Sequence, residues 1–270
     1  MLTNMQESDL PLKICKPCNT PKEAIIEAFG RNIKVPIMCK CEKEKYNRQK
    51  EEEEKRDRMM RLERLRNYSL MDAKFEQCTF ENFEVDEMNK QYFNLAKKYV
   101  EKFNEMKKQN LGLLLFGAPG TGKTYLAFCI ANELLNRLVP VIAISSIGIL
   151  NRIKETYKRY GSEGEVEIIN NLKNASLLVL DDLGAENNTT WAKEKIYEII
   201  DSRYRDRKPI IITTNLTNEQ LKEHLASEDG IYRTYDRIIE MCTPLEIKGK
   251  ARRVETAKSK QKLLKELLGG

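Results

Sequence analysis

An eight-residue stretch that joins an apolar run to a helical segment constrains the fold of this chain more than any other feature. It reads Gly-Ala-Pro-Gly-Thr-Gly-Lys-Thr from Gly117 to Thr124 and follows the apolar run Leu111–Phe116. Its spacing matches G-x-x-x-x-G-K-[ST], in which backbone N–H groups face phosphates, the lysine reaches the β- and γ-phosphates and the hydroxyl holds Mg²⁺. The segment Tyr125–Ala131 then suits a helix. The pattern predicts a nucleotide-binding loop between a strand and a helix, rather than a plain glycine-rich turn.

Two later apolar runs end in polar residues. The first begins at Ser176 and ends in Asp181 and Asp182, and the second runs from Lys208 to Asn215. Because the carboxyl ends of parallel strands line one crevice, we expect these polar side chains to face the nucleotide. Asp181 is expected to hold the Mg²⁺ shell, Asp182 to orient or deprotonate the attacking water, and Asn215 to polarise that water. The alternative for the acidic pair is a loop that merely follows a core strand.

The order of these motifs, followed by Tyr197–Tyr204 and Arg233–Arg237, resembles the AAA+ ATPases of the DnaC/DnaI helicase-loader and IstB group. The resemblance covers about residues 70 to 256. It implies an α/β fold with a P-loop NTPase core, in which a parallel sheet is sandwiched by helices. It also implies that the segment Phe75–Phe83 lies near the adenine.

The same resemblance implies two further arginine roles. Arg237 matches the arginine finger that reaches a neighbouring subunit's γ-phosphate, and Arg253 is preferred as the second sensor, although Arg252 stays open for that role. The alternative for Arg237 is an arginine on a helix surface, and the alternative for the second sensor is a plain basic tail. The predicted catalytic residues are thus Asp182, Asn215 and Arg237; the nucleotide-binding residues are Gly117, Ala118, Pro119, Gly120, Thr121, Gly122, Lys123, Thr124, Tyr125, Asp181 and Arg253; and the magnesium ligands are Thr124 and Asp181.

The acidic motif is Asp-Asp, where many AAA+ proteins have Asp-Glu. The shorter side chain of Asp182 should position water less closely. We therefore expect slow ATP hydrolysis that serves as a switch rather than as a motor.

Four cysteines near the amino terminus form two close pairs, Cys15 with Cys18 and Cys39 with Cys41. Two such pairs suit a tetrahedral zinc site, which contributes roughly 10–16 kcal/mol of apparent binding free energy and would fold a segment too small to bury its own core. The second pair is C-x-C rather than C-x-x-C, and the alternative is unrelated reduced thiols. The remaining cysteines, Cys78, Cys129 and Cys242, are expected to be core or surface thiols.

These features predict four parts: a zinc-binding module over residues 1–45, a charged linker helix over 46–70, an AAA+ ATPase domain over 71–256 and a C-terminal tail over 257–270. The linker contains no Gly or Pro, and a nucleic-acid or partner contact is the alternative to a solvated helix. The net charge is +6, which permits nucleic-acid binding without requiring it. No apolar run approaches about 18 residues and no signal peptide is evident, so we expect a soluble, cytoplasmic protein.

A predicted amphipathic helix over Ser146–Tyr160 carries basic and aromatic residues. The resemblance implies that this region touches single-stranded DNA; an ordinary surface helix is the alternative. The resulting expectation is an ATP-dependent loader that self-associates through its ATPase domain, docks its zinc module on a hexameric replicative helicase and delivers that helicase to single-stranded DNA. An IstB-type transposition ATPase is the main alternative. A small-molecule kinase would need a substrate pocket and lid that the sequence does not show, and host, phage origin and subunit number stay open.

Overall fold

The computed structural model describes residues 11–28, 30–160, 162–227, 229–252, 260–261, 264–266 and 268. The chain divides into two compact units, Met1–Arg61 and Leu62–Gly270. Among the described residues, no helix has the length and apolar character needed to span a bilayer. The boundaries of the four predicted parts stay predictions.

The first unit contains an antiparallel hairpin made of β1 (Glu23–Ala28) and β2 (Arg31–Pro36). Ile26 lies opposite Ile33 across the two strands, and both side chains are almost half exposed. The hairpin is followed by α1 (Lys40–Tyr68), a helix of 29 residues that are all described and none of which is buried. Its many charged residues are strong helix formers, which explains why a helix forms without a core of its own.

The second unit is built on five parallel strands in the order β4-β5-β6-β3-β7. The strands are β3 (Gly112–Phe116), β4 (Val141–Ser145), β5 (Leu177–Asp181), β6 (Ile210–Thr214) and β7 (Cys242–Glu246). Strand β6 therefore lies between β3, which precedes the phosphate loop, and β5, which leads into the acidic pair. The carboxyl ends of these three strands meet at one edge.

Helices cover both faces of this sheet. Alternate residues along the strands enter two separate hydrophobic clusters, one that includes Leu113 and Leu115 and one that includes Leu114, as the two-residue period of a strand requires. The helices are α2 (Lys90–Glu101), α3 (Phe103–Lys108), α4 (Lys123–Asn136), α5 (Ser146–Tyr160), α6 (Ser162–Asn174), α7 (Thr190–Arg205), α8 (Asn218–His224) and α9 (Arg233–Met241). The predicted α/β fold, with a parallel sheet sandwiched by helices, is confirmed.

A buried arginine ties the amino-terminal ends of two strands together. Arg203 is fully buried, and its Nη1 donates to the carbonyl oxygens of Leu172 at 2.6 Å and Ala175 at 3.1 Å, just before β5. Its Nη2 donates to the carbonyl oxygen of Pro209 at 2.6 Å, just before β6. The buried guanidinium is tolerated because both of its Nη nitrogens donate to these carbonyls, although its Nε has no hydrogen-bond partner among the described residues.

Candidate active site

The phosphate loop connects β3 to α4, as the sequence predicts. Gly117 and Gly122 have φ angles of 138° and 98°, which other residues adopt only with strain. A Cβ atom added to Gly117 would also lie 2.7 Å from the carbonyl oxygen of Ile247. Glycine is therefore required here both by backbone conformation and by the close approach of a neighbouring segment.

A chain of hydrogen bonds connects the loop lysine to the acidic pair. Lys123 is buried, and its Nζ donates to the carbonyl oxygens of Gly117 and Ala118 and to Oδ1 of Asn215, each at 2.8 Å. Nδ2 of Asn215 donates in turn to Oδ1 of Asp182 at 2.7 Å. Asn215 can reach both groups because β6 lies between β3 and β5.

The acidic pair is held by hydrogen bonds from two directions. The Thr213 hydroxyl donates to Oδ1 of Asp181 at 2.6 Å and accepts from the backbone N–H of Asp182 at 2.9 Å. Asp182 has a φ of 55°, a left-handed conformation that aspartate tolerates better than most residues. The Ser146 hydroxyl donates to its carbonyl oxygen at 3.0 Å. Asp181 is consequently buried, whereas the side chain of Asp182 is directed toward Asn215.

A cavity of about 380 Å³ opens beside these groups. This volume falls within the range of small-molecule sites, which is about 300–1,000 Å³. It is lined by Phe75, Cys78, Asn82, Phe83, Glu84, Gly120, Thr121, Gly122, Lys123, Thr124, Tyr125, Asp182, Asn215 and Arg252. Residues from the phosphate loop, the acidic loop and the predicted adenine segment thus face a single space.

Aromatic side chains line the part of the cavity that is formed by the predicted adenine segment. The Phe75 ring stacks on Phe128 with centroids 4.0 Å apart, and the Phe83 ring meets Tyr125 at 5.5 Å. The Tyr125 hydroxyl donates to the carbonyl oxygen of Asn82 at 3.1 Å. Flat aromatic surfaces of this kind suit a purine base.

Arg252 lies at the rim of the same cavity. Its Nη2 donates to the carbonyl oxygen of Glu84 at 2.6 Å and to Oδ2 of Asp86 at 3.0 Å. Its guanidinium carbon lies 5.8 Å from the centroid of the Phe83 ring. Arg253, which the sequence favours as the second sensor, lies outside the described residues.

Arg237 lies on α9 and does not belong to the described residues that line the cavity. Its Nη1 lies 2.8 Å from Oδ1 of Asp201, and its guanidinium carbon lies 4.7 Å and 5.5 Å from the ring centroids of Tyr197 and Tyr204. The cation is therefore held between two aromatic faces and one carboxylate. Its role as an arginine finger stays a prediction.

The four amino-terminal cysteines lie together, with all four sulfurs within 4.8 Å of one another. Hydrogen bonding to the Thr20 hydroxyl and to the Cys41 backbone lowers the pKa of Cys18 to about 5, while burial raises the pKa of Cys39 to about 12. Four thiol ligands at this spacing fit tetrahedral zinc, which binds thiolates at about 2.3 Å. The other cysteines, Cys78, Cys129 and Cys242, are buried in the second unit.

The predicted DNA-contacting region is helical over α5. Nζ of Lys154 lies 4.8 Å from the centroid of the Trp191 ring, which is a cation–π contact. The side chains of residues 157–160 lie outside the described part of the structure. DNA contact by this helix stays a prediction.

The sheet order, the phosphate loop and the acidic pair define an AAA+ nucleotide-binding domain. A family model described as IstB-like ATP binding protein matches residues 39–261, and the chain belongs to this family. It is 33% identical over 171 residues to the replicative helicase loader DnaC of Escherichia coli (strain K12), covering 63% of this chain and 68% of that protein.

Solved structures are similar to the same part of the chain. The crystal structure of DnaI has a TM-score of 0.56 and 28% identity, and the match covers 67% of this chain and 94% of that one. The replication initiator DnaA bound to AMPPCP and single-stranded DNA has a TM-score of 0.53 and 26% identity, covering 66% of this chain and 51% of that one.

Several residues that shape the site were not singled out from the sequence. Thr213 is the easiest of them to recognise in the sequence, because a polar residue in a run of isoleucines has to satisfy its hydroxyl inside the sheet. Asp201, which pairs with Arg237, and Ser146, which holds the carbonyl of Asp182, lie on other elements. No spacing rule connects them to the motifs that they support.

Proposed function

We propose that this protein is an ATP-dependent loader that delivers a ring-shaped replicative helicase onto single-stranded DNA. The observation that carries this proposal is the similarity to the loader DnaC across the unit that contains the complete Lys123–Asn215–Asp182 arrangement. The IstB-like family match supports ATP as the nucleotide. A cytoplasmic location follows from this function.

In the proposed reaction, Lys123 would bind the β- and γ-phosphates, and the Thr124 hydroxyl and the Asp181 carboxylate would hold Mg²⁺. Bound magnesium would neutralise charge that develops on the phosphate oxygens. Asp182 would orient the attacking water by accepting a hydrogen bond from it, or would deprotonate it. Asn215 holds the Asp182 carboxylate in place through the 2.7 Å hydrogen bond described above.

Slow turnover is part of this proposal. Asp182 is one methylene shorter than the glutamate found at this position in many AAA+ proteins, so its carboxylate lies closer to its own backbone. Thr213 and Ser146 restrain that backbone, which limits how far Asp182 can advance toward water. The nucleotide would thus act as a switch between two states of the loader.

Self-association through the ATPase unit would place Arg237 at a neighbour's γ-phosphate. Arginine fingers contribute about 10³–10⁵ in rate in related phosphoryl-transfer systems. The Tyr197 and Tyr204 rings and the Asp201 carboxylate support this role, because they limit the orientations that the guanidinium can adopt.

The cysteine module would recognise the helicase. Zinc bound by Cys15, Cys18, Cys39 and Cys41 would give a small unit a defined surface. The exposed apolar side chains of the hairpin, including Ile26 and Ile33, suit contact with another protein.

Capture experiments test the loader proposal. The protein should retain a replicative helicase in a pull-down and should not retain an IstB-partner transposase. The double substitution Cys39→Ser and Cys41→Ser should lose zinc in elemental analysis and lose helicase capture while ATP affinity is unchanged. Retention of a transposase instead of a helicase would favour the transposition ATPase, which the family match also supports.

Variants of the nucleotide site provide the matched controls. Lys123→Ala should lose ATP binding, whereas Asp182→Asn should keep binding and lose turnover. Equal ATP affinity for the wild type and Lys123→Ala would refute the assignment of the phosphate loop.

A further inference from the structure

A buried acid–histidine pair lies beside the acidic loop and has no part in the chemistry proposed above. Glu186 is 8% exposed, and its Oε1 lies 3.0 Å from Nε2 of His224, the one histidine of the chain. A buried carboxylate is costly unless it is paired and hydrogen-bonded. Its position next to the reacting groups raises the question of what it stabilises.

Glu186 holds the acidic loop through its second oxygen. Oε2 accepts a hydrogen bond from the backbone N–H of Gly184 at 2.9 Å, two residues beyond Asp182. Burial raises the pKa of Glu186, but hydrogen bonds, first among them the bond to His224, outweigh this effect and lower that pKa below its usual value. The carboxylate is therefore ionised at neutral pH and acts as a strong acceptor.

His224 belongs to the segment that follows the other catalytic side chain. It is the last residue of α8, and only Leu216 and Thr217 separate Asn215 from that helix. Thr217 caps α8 with its hydroxyl, which fixes the start of the helix relative to the end of β6. Displacement of His224 would therefore be transmitted to Asn215 through one short helix.

The two loops also touch each other directly. A Cβ atom added to Gly184 would lie 2.5 Å from Cδ1 of Leu216, so little space separates the acidic loop from the segment after Asn215. The Asp182–Asn215 hydrogen bond joins these loops on the cavity side. The Glu186–His224 pair joins them again, through a different pair of side chains.

We propose that Glu186 and His224 are positioning residues that keep Asp182 and Asn215 in register for ATP hydrolysis. This inference rests on the hydrolytic role proposed for Asp182. Nucleotide affinity depends mainly on the phosphate loop and α4, which the pair does not contact among the described residues. Loss of the pair should therefore lower kcat and leave the affinity for ATP almost unchanged.

The test uses Glu186→Gln and His224→Gln in the full-length protein. Each removes one partner of the Glu186–His224 pair and keeps a hydrogen-bonding side chain of similar size. Since small displacements of reacting groups cost up to about 10²-fold in rate, we expect kcat to fall about 10–100-fold in either variant. The Kd for ATP should stay within about twofold, a change below 0.5 kcal/mol.

Two further measurements separate positioning from general stability. Hydrogen exchange at the Gly184 amide should accelerate in Glu186→Gln, because its acceptor is weakened. The double variant should lose no more activity than the worse single variant, since both changes break one interaction.

A mostly buried ion pair elsewhere in the second unit supplies the matched control. Nζ of Lys195 lies 2.5 Å from Oε1 of Glu165, and their side chains are 18% and 10% exposed. This pair connects α7 to α6 and lies outside the proposed site. Glu165→Gln should lower the melting temperature and leave kcat unchanged.

The outcomes are distinct. If Glu186→Gln and His224→Gln lower the melting temperature as Glu165→Gln does and leave kcat intact, the pair is structural and the inference is wrong. If Glu186→Gln does not fold, His224→Gln decides, because its side chain lies at the more exposed end of the pair. If Asp182→Asn retains full turnover, the proposed hydrolytic site itself is wrong.

Discussion

Replacement of Thr213 by valine removes the hydroxyl that supports both members of the acidic pair. Valine has nearly the same shape as threonine, so the strand and its packing are preserved. The hydroxyl donates to Oδ1 of Asp181 at 2.6 Å and accepts from the N–H of Asp182 at 2.9 Å, and Thr213 is 1% exposed. Both partners would lose a hydrogen bond in a place with little access to water.

The size of the effect follows from these two bonds. A hydrogen bond to a charged group is worth about 1.5–3 kcal/mol, and a buried N–H left unpaired costs about 1–3 kcal/mol. The Asp182 N–H is only partly buried, so we take the lower end of the second range. Valine and threonine both favour strands, so the change in strand preference returns at most about 0.5 kcal/mol. The free energy of unfolding should therefore fall by about 2–4 kcal/mol out of a total of about 5–15 kcal/mol.

Urea denaturation followed by tryptophan fluorescence measures this change. Trp191 is the one tryptophan and lies in the second unit, so its signal reports on that unit. With a slope of about 2 kcal/mol/M, in the middle of the usual range for urea, the midpoint should move down by about 1–2 M. ATP turnover should fall as well.

Thr243→Val is the matched control, since Thr243 is an exposed residue of β7 in the same sheet. It should change the free energy of unfolding by no more than about 0.5 kcal/mol. If the two valine variants behave alike, the hydroxyl of Thr213 does not support the acidic pair as argued.

Three other changes have defined outcomes. Gly184→Ala places a methyl group 2.5 Å from Leu216 at a φ of 97°, so the melting temperature should fall; an unchanged melting curve would contradict the close contact. The lowered pKa of Glu186 means that its carboxylate stabilises the fold above the unfolded glutamate pKa of about 4.3, and that this stabilisation is lost as pH falls through the folded pKa. The melting-temperature difference between wild type and Glu186→Gln should therefore shrink toward acid pH, and a constant difference would rule out this linkage. Arg237→Ala mixed with Lys123→Ala should regain turnover, because one supplies an intact pocket and the other an intact finger; activity equal to the sum of the separate proteins would argue against a finger in trans.

The sequence predicted the parts of the site that depend on local spacing. A phosphate loop needs glycines and a lysine at fixed intervals, so Gly117–Thr124 could be recognised as one from the sequence. The strands that immediately precede Asp182 and Asn215 were recognisable because buried parallel strands are continuous apolar runs, and both runs end abruptly in polar residues. The α/β fold followed from these runs and from the family resemblance.

Contacts between elements distant in the chain could not be predicted in this way. Glu186 pairs with a histidine 38 residues later, and Arg237 pairs with a carboxylate on a different helix. Such pairs depend on how α7, α8 and α9 pack, and no periodicity in the sequence records that packing. Arg252 shows the same limit, since its bond to the Glu84 carbonyl spans 168 positions.

The buried arginine at the other end of the sheet has a mechanical consequence. Arg203 joins the amino-terminal ends of β5 and β6, while Asp182 and Asn215 join the same strands at their carboxyl ends. These two strands of five residues, each about 17 Å long, are thus connected by side-chain hydrogen bonds at both ends. A substitution at Arg203 would weaken the alignment of β5 with β6. It would thereby shift Asp182 relative to Asn215 from a full strand length away. Defects that map to this distant edge in a genetic screen are therefore best tested first as errors of catalytic alignment, before a partner surface is sought there.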